Sequence, residues 1–349
     1  MSRTSKPALR TRHRFLGKAG AVVALALGFA CASLSQMAWA ADARQALVLE
    51  RKIALAHVSG RIDHMAVDLH RHRLFVAELG NDSVDVVDLG SGTLLHRISG
   101  LKAPQGVAYI PGADVIVVAN AGDGTVEFFG GADFAARGGL NLGDDADNIR
   151  VDPRSGHVVV GYGEGGLAII DPATRTKLQD IKLPGHPESF QIDSQSNRAY
   201  VNVPDAGQIA VVDLAAGRQV AKWSVAGLAQ NFPMAIGGSG TTIATVFRSP
   251  PRLVFLDSRT GAVTGSSLTC ADADDVFFDA RRQRVYVSCG AGAVDVFSRD
   301  ASDARHIARI QTSSGARTSL FAPELDELYI AERAGLLEDA AIAVFRPVP

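Results

Sequence analysis

Residues 60–101 read GRIDHMAVDLHRHRLFVAELGNDSVDVVDLGSGTLLHRISGL. Four short alternating runs, IDHMAVD, RLFVAEL, SVDVVDL and TLLHRIS, are separated by HRH, GND and GSG. Alternation at period two is the pattern of a half-buried strand, and turn residues that tolerate left-handed backbone let each run fold back on the last. Four antiparallel strands alone cannot bury two faces, so the remainder of the chain has to cover this sheet.

It does so with copies of the same unit. APQGVAYIPGADVIVVANAGDGTVEFFGG, ADNIRVDPRSGHVVVGYGEGGLAIIDPATRTKLQDIKL and PESFQIDSQSNRAYVNVPDAGQIAVVDLAAGRQVAKWSV follow in order. A divergent fifth copy begins NFPMAIGGSGTTIATVFRSPPRLVFLD, a sixth ADDVFFDARRQRVYVSCGAGAVDVF, and a seventh RTSLFAPELDELYIAERAG. Aligned on the first strand, Asp63, Gln105, Asp147, Glu188, Phe232, Asp274 and Thr318 share one column, at steps of 42, 42, 41, 44, 42 and 44 residues. A four-strand repeat of this period predicts an all-β, seven-bladed β-propeller. The seventh copy holds only three strands. ALVLERKIAL, residues 46–55, has no blade of its own and is predicted to pair with AAIAVF as the fourth strand, closing the ring and removing its open edge.

The first forty residues are of another kind. Six basic residues and no acid precede the apolar run AVVALALGFA, and Ala38-Trp39-Ala40 is a small-x-small cleavage site. This is the pattern of a secretory signal peptide, residues 1–40, followed by a single propeller domain, 41–349. Lipidation at Cys31 fits less well, since Gly28-Phe29-Ala30 lacks the expected aliphatic residue, and His13 stands where a twin-arginine signal needs its second arginine. Cleavage near Ala40 leaves 29 Lys and Arg against 37 Asp and Glu. A mildly acidic periplasmic or secreted protein, read as a monomer, follows, with no basic block to support nucleic-acid binding. Cys270 and Cys289 remain, either as a disulfide in an oxidising compartment or as two buried thiols. They form no CxxC or CxxCH motif.

RLFVAELGNDSVDVVDLGSG, VIVVANAGDGTVEFF, RAYVNVPDAGQIAVVDLAAG and RVYVSCGAGAVDVF resemble the YVTN repeat of YncE-like periplasmic β-propellers. The resemblance spans residues 61–345 and implies a seven-bladed exported protein, usually without an established enzymatic activity. One branch of that family is linked to nucleic acid, which this acidic sequence gives little reason to carry over.

The ring column is where chemistry is expected. Asp63, Asp147, Glu188 and Asp274 converge at one channel mouth with Gln105, and the adjacent column adds His64, Asn148 and Asp275. So many carboxylates repel unless cations offset them, and Arg317, His186, Arg61 and Arg248 are available. Three readings compete: a water-filled polar channel, a mouth that binds a polar small molecule or a protein loop through these acids with His64 and Arg317, and a Ca²⁺-like site of Asp63, Asp147, Glu188 and Asp274. Metal would permit a lactonase-type hydrolysis, with His64 as the candidate acid/base. Neighbours along a strand point to opposite faces, so Asp63 is not expected to orient His64; a carboxylate of another blade would have to. A binding or scaffold protein is the leading expectation and the lactonase the alternative. Other enzyme classes lack their signals: one tryptophan (Trp223) after residue 40, no GxSxG elbow, and no GxGxxG between a strand and a helix.

Overall fold

The computed structural model describes residues 46–299 and 304–349; the expected signal peptide, its expected cleavage point and Cys31 lie outside them. Seven four-stranded antiparallel sheets span residues 65–99, 104–141, 146–182, 190–223, 229–268, 273–311 and 319–347, and are called blades 1 to 7. Within each blade the chain moves outward. In blade 1 Met65–Asp68 is innermost, Arg73–Glu78 and Ser83–Asp88 are almost wholly buried, and Thr93–Ser99 faces solvent. The innermost strands touch one after another around the ring, and Ser319–Ala322 of blade 7 returns to Met65–Asp68.

The expected closure is present. Leu47–Ala54 pairs antiparallel with Ala341–Pro347, running from Leu47 opposite Pro347 to Ala54 opposite Ala341, with a bulge at Leu49/Arg51. Blade 7 is thus built from both ends of the described chain.

The core is divided among the blade interfaces. Seven apolar clusters each straddle two neighbouring blades: Val76, Tyr329 and Ile342 pack between blades 7 and 1, and Phe75, Val86 and Val118 between blades 1 and 2. Period-two alternation makes this division, because each sheet sends one set of side chains to each neighbour. Asp68, Asp152, Asp193 and Asp279 end the innermost strands of four blades and accept hydrogen bonds from backbone N–H groups two or three residues on. These Asx turns fix where the second strand starts. The face that carries them is called the hairpin face, and the one reached by the loops between blades the crossover face.

Candidate functional site

The ring column sits in a recurrent β-bulge. In blade 1 the Asp63 N–H donates to Ala77 O (2.7 Å) and the Ala77 N–H donates to His64 O (3.0 Å), so two residues oppose one. Blade 4 repeats this with Glu188, Ser189 and Asn202, and the register slips at the same place in blades 2, 3, 5 and 6. A bulge re-aims side chains, so adjacent residues can leave the strand on one side. The expectation that Asp63 and His64 point apart is therefore wrong: His64 Nε2 lies 3.7 Å from Asp63 Oδ1. Crowding between blades is severe here. A Cβ on Gly106 would lie 2.0 Å from Asp147 O, so only glycine fits.

All four cations singled out in the sequence meet ring acids. Arg61 Nη2 is 2.7 Å from Asp63 Oδ2, and His186 Nε2 is 3.9 Å from Asp147 Oδ2 while Nδ1 lies 2.7 Å from Gly163 O. Arg317 Nε lies 2.9 Å from Asp274 Oδ2 and its Nη1 3.0 Å from Asp272 Oδ1. Arg248 pairs with Asp274, donates through Nε to Ala273 O (2.8 Å), and stacks its guanidinium 3.6 Å above the Phe232 ring. Phe232, the apolar member of the column, thus holds a cation in place.

Burial governs the protonation of this cluster. It pushes Glu188 up to about 7, with nearby Asp147 adding to the rise, and pushes Asp63 up to about 6 against the pull of His64 and Arg61. Burial would raise Asp147 too, but His186 and His64 hold it below the ordinary carboxylate range. Burial would likewise lower His186, which the Asp147 carboxylate and the Gly163 carbonyl instead keep at about 9. His64 is lifted, against its burial, by Asp63, Asp275 and Asp147.

The crossover-face end of the channel is consequently packed. Asp63, His64, Asp147, Asn148, Glu188 and Asp274 converge, together with Arg61 and Phe232, on a remnant of about 20 Å³. That is room for about one water molecule and not for a small-molecule ligand. Gln105 and Arg317 do not line it. The proposed calcium ligands do not fit a cation either. Asp63 and Asp274 already face arginines, and among the described residues no group of three or more His, Cys, Asp or Glu is arranged to hold a metal ion.

Space lies beneath this plug. A cavity of about 790 Å³ runs down the ring to the hairpin face, between walls that include Met65, Val67, Val107, Ile149, Val276 and Leu320. Its polar groups lie at its two ends: His64, Asp275, Ser319, Arg150 and Gln191 near the plug, and Asp279, Arg281 and Asp326 at the hairpin face. Asp275 accepts from the Ser319 N–H (2.6 Å), and burial pushes it up to about 7. His64 borders both spaces, and Asp275 faces only the larger one.

Sequence reasoning missed Arg150. Three residues after the ring column, Ala66, Ala108, Arg150, Gln191, Ala235, Phe277 and Phe321 form a second column, and all seven line the cavity. Arg150 is its one charged residue, a signal readable from the repeat alignment. Asp145 and Asp272, each two residues before the column, were missed as well, and they lie beside His186, Arg248 and Arg317.

Cys270 and Cys289 are bridged, with Cα atoms 5.9 Å apart. The bond anchors the segment carrying Asp272 and Asp274, and the Cys270 N–H donates to buried Asp295 (2.8 Å). Among the described residues no helix is long and apolar enough to cross a membrane.

No protein-family model and no curated protein sequence matches the chain. Solved structures do. A chain of hydrazine synthase from Kuenenia stuttgartiensis superposes with a TM-score of 0.74 at 16% identity, covering 84% of this chain and 98% of that one. A chain of a mitotic checkpoint complex superposes with a TM-score of 0.74 at 12% identity, covering 86% of this chain and 92% of that one. Two proteins with such different names share the scaffold, so what the likeness establishes is the β-propeller fold alone.

Proposed function

We propose that this chain is an exported, YncE-like binding protein that holds a small molecule in its central channel, entered from the hairpin face. The observation that carries the reading is the cavity of about 790 Å³, apolar along its walls, with one set of polar groups at the plug and another at the hairpin-face rim. That volume lies within the range of small-molecule pockets, and a few convergent polar groups in an apolar cleft are what fix a ligand's orientation. The carboxylate ring then acts as the plug that seals the channel and not as the contact surface, because Asp63, Asp147 and Asp274 are spent on Arg61, Arg248, Arg317 and His186. Export is supported by the N-terminal basic-apolar run and by the disulfide.

A thermal-shift screen of small molecules on wild type, Ala108→Trp and Glu188→Gln tests this. Ala108 lines the cavity, and an indole there projects into it and obstructs it. Hits should vanish with Ala108→Trp and persist with Glu188→Gln. Hits that survive the indole, or that are lost only when the plug residue changes, would overturn the channel as the site.

A further inference from the structure

The channel is lined by an arginine that makes no ion pair with the described residues. At the plug Arg61 has Asp63, while Arg248 and Arg317 share Asp272 and Asp274; Arg333 stands beside them and does not line the cavity. At the hairpin-face rim Arg281 meets Asp326 at 3.3 Å. Arg150 makes no ion pair among the described residues. Its Nη1 donates to Ile149 O (2.7 Å) and its Nη2 to Ser189 Oγ (3.4 Å), and its guanidinium lies 5.6 Å from the Phe190 ring centroid. A guanidinium carries five donors, so donors remain for the cavity that it lines.

We infer that the channel ligand is an organic monocarboxylate with an apolar body, its carboxylate seated on Arg150 and His64 and its body along the apolar walls. The inference rests on the channel reading above and adds the ligand's chemical class to it.

Charge selects the class. An arginine fork matches a carboxylate in plane and in spacing, and a buried guanidinium without a partner is costly until an anion arrives. His64 is the second nitrogen donor at the floor, and Asp63, Asp275 and Asp147 favour its protonated form against its burial. Asp275 is the opposing group; burial pushes it up to about 7, so it is protonated in a large fraction of molecules near neutrality and can donate to a bound carboxylate. With Asp147 also acting on Arg150, the floor has too little positive charge for a dianion such as a phosphate monoester. A cationic ligand would leave Arg150 uncompensated. The neighbouring positions of the second column explain the apolar body: Ala66, Ala108, Ala235, Phe277 and Phe321 offer no hydrogen-bonding side chain, and the Gln191 amide is already donated to Met234 O (2.8 Å).

The test uses three probes of one shape, 4-phenylbutyrate, 4-phenylbutyramide and 4-phenylbutylamine, titrated by calorimetry into wild type and Arg150→Gln. The acid should bind wild type at least tenfold more tightly than the amide or the amine. Arg150→Gln should weaken the acid roughly 10- to 100-fold, the worth of a charge-assisted contact, and leave the amide unchanged. If Arg150→Gln fails to fold, wild type alone decides through the acid-over-amide ratio and its decline with salt. Equal binding of the three probes, lost on Ala108→Trp, would overturn the carboxylate assignment and leave the channel reading standing. Binding of none at millimolar concentration would overturn both.

Discussion

Replacing Glu188 by glutamine should stabilise the protein, and only at neutral to alkaline pH. Glu188 is largely buried in the plug, where Asp147 and Asp274 repel its charge and His186 and Arg248 attract it. Unfolded, it ionises near 4.5; folded, burial moves it to about 7. Between those values the native state retains a proton that the unfolded chain has released, so stability present at acid pH is lost as pH rises through the folded value. A displacement of this size corresponds to about 3 kcal/mol lost from pH 4.5 to pH 8. Glutamine keeps the shape and cannot ionise. Urea unfolding of both proteins at pH 4.5 and pH 8 should therefore give nearly equal stabilities at the lower pH and an advantage of about 3 kcal/mol for Glu188→Gln at the higher. Groups away from the cluster titrate alike in both proteins and cancel in the comparison. Parallel pH curves, or a variant less stable at pH 8, would show that Glu188 is satisfied as an anion and that the plug is not the crowded cluster of charges described above.

The Cys270–Cys289 bond closes a loop with a sequence separation of 19, so reduction, or the paired change to alanine, should cost about 3 kcal/mol in urea unfolding. A loss below about 0.5 kcal/mol would mean that the bond contributes little beyond the packing around it. Deleting residues 46–54 uncovers the Ala341–Pro347 edge and removes the buried side chains of Leu47 and Ile53, worth about 2 kcal/mol each. Size-exclusion chromatography should then show dimers or larger species and urea unfolding an earlier midpoint; a monomer with an unchanged midpoint would refute the role of the closing strand.

The blades were legible because their information is local. Turn residues and period-two alternation recur in every copy, and a repeat of about 42 residues turns one sheet into seven. The closing strand was legible as a remainder, since residues 46–55 fit no blade and blade 7 lacked a strand. Convergence of Asp63, Asp147, Glu188 and Asp274 also followed from the period. How they converge did not. The bulge that brings His64 beside Asp63 depends on how two residues share one partner across the ladder, and the filling of the crossover-face end depends on long arginines arriving from several blades. Neither is a property of any single segment. Attention to the acids also directed the reading to the packed end of the channel, while Arg150, the one charged residue of the second column, stood three residues further along among alanines, phenylalanines and a glutamine.

The pairing of Leu47–Ala54 with Ala341–Pro347 has a consequence in time. The strand that completes the last blade is the first of the described strands to be synthesised, and its partner is the last. While six blades are being made, that early strand has nothing to pair with and the seventh interface does not exist. Blades 1 to 6 can fold in order as they emerge, because each packs on its predecessor, but the ring becomes a ring in one late event. Until then the nascent protein is an open arc with a free strand at one end. A strand left unpaired for that long is an exposed edge, so protection of Leu47–Ala54 until blade 7 is made favours the closed ring over association with other chains.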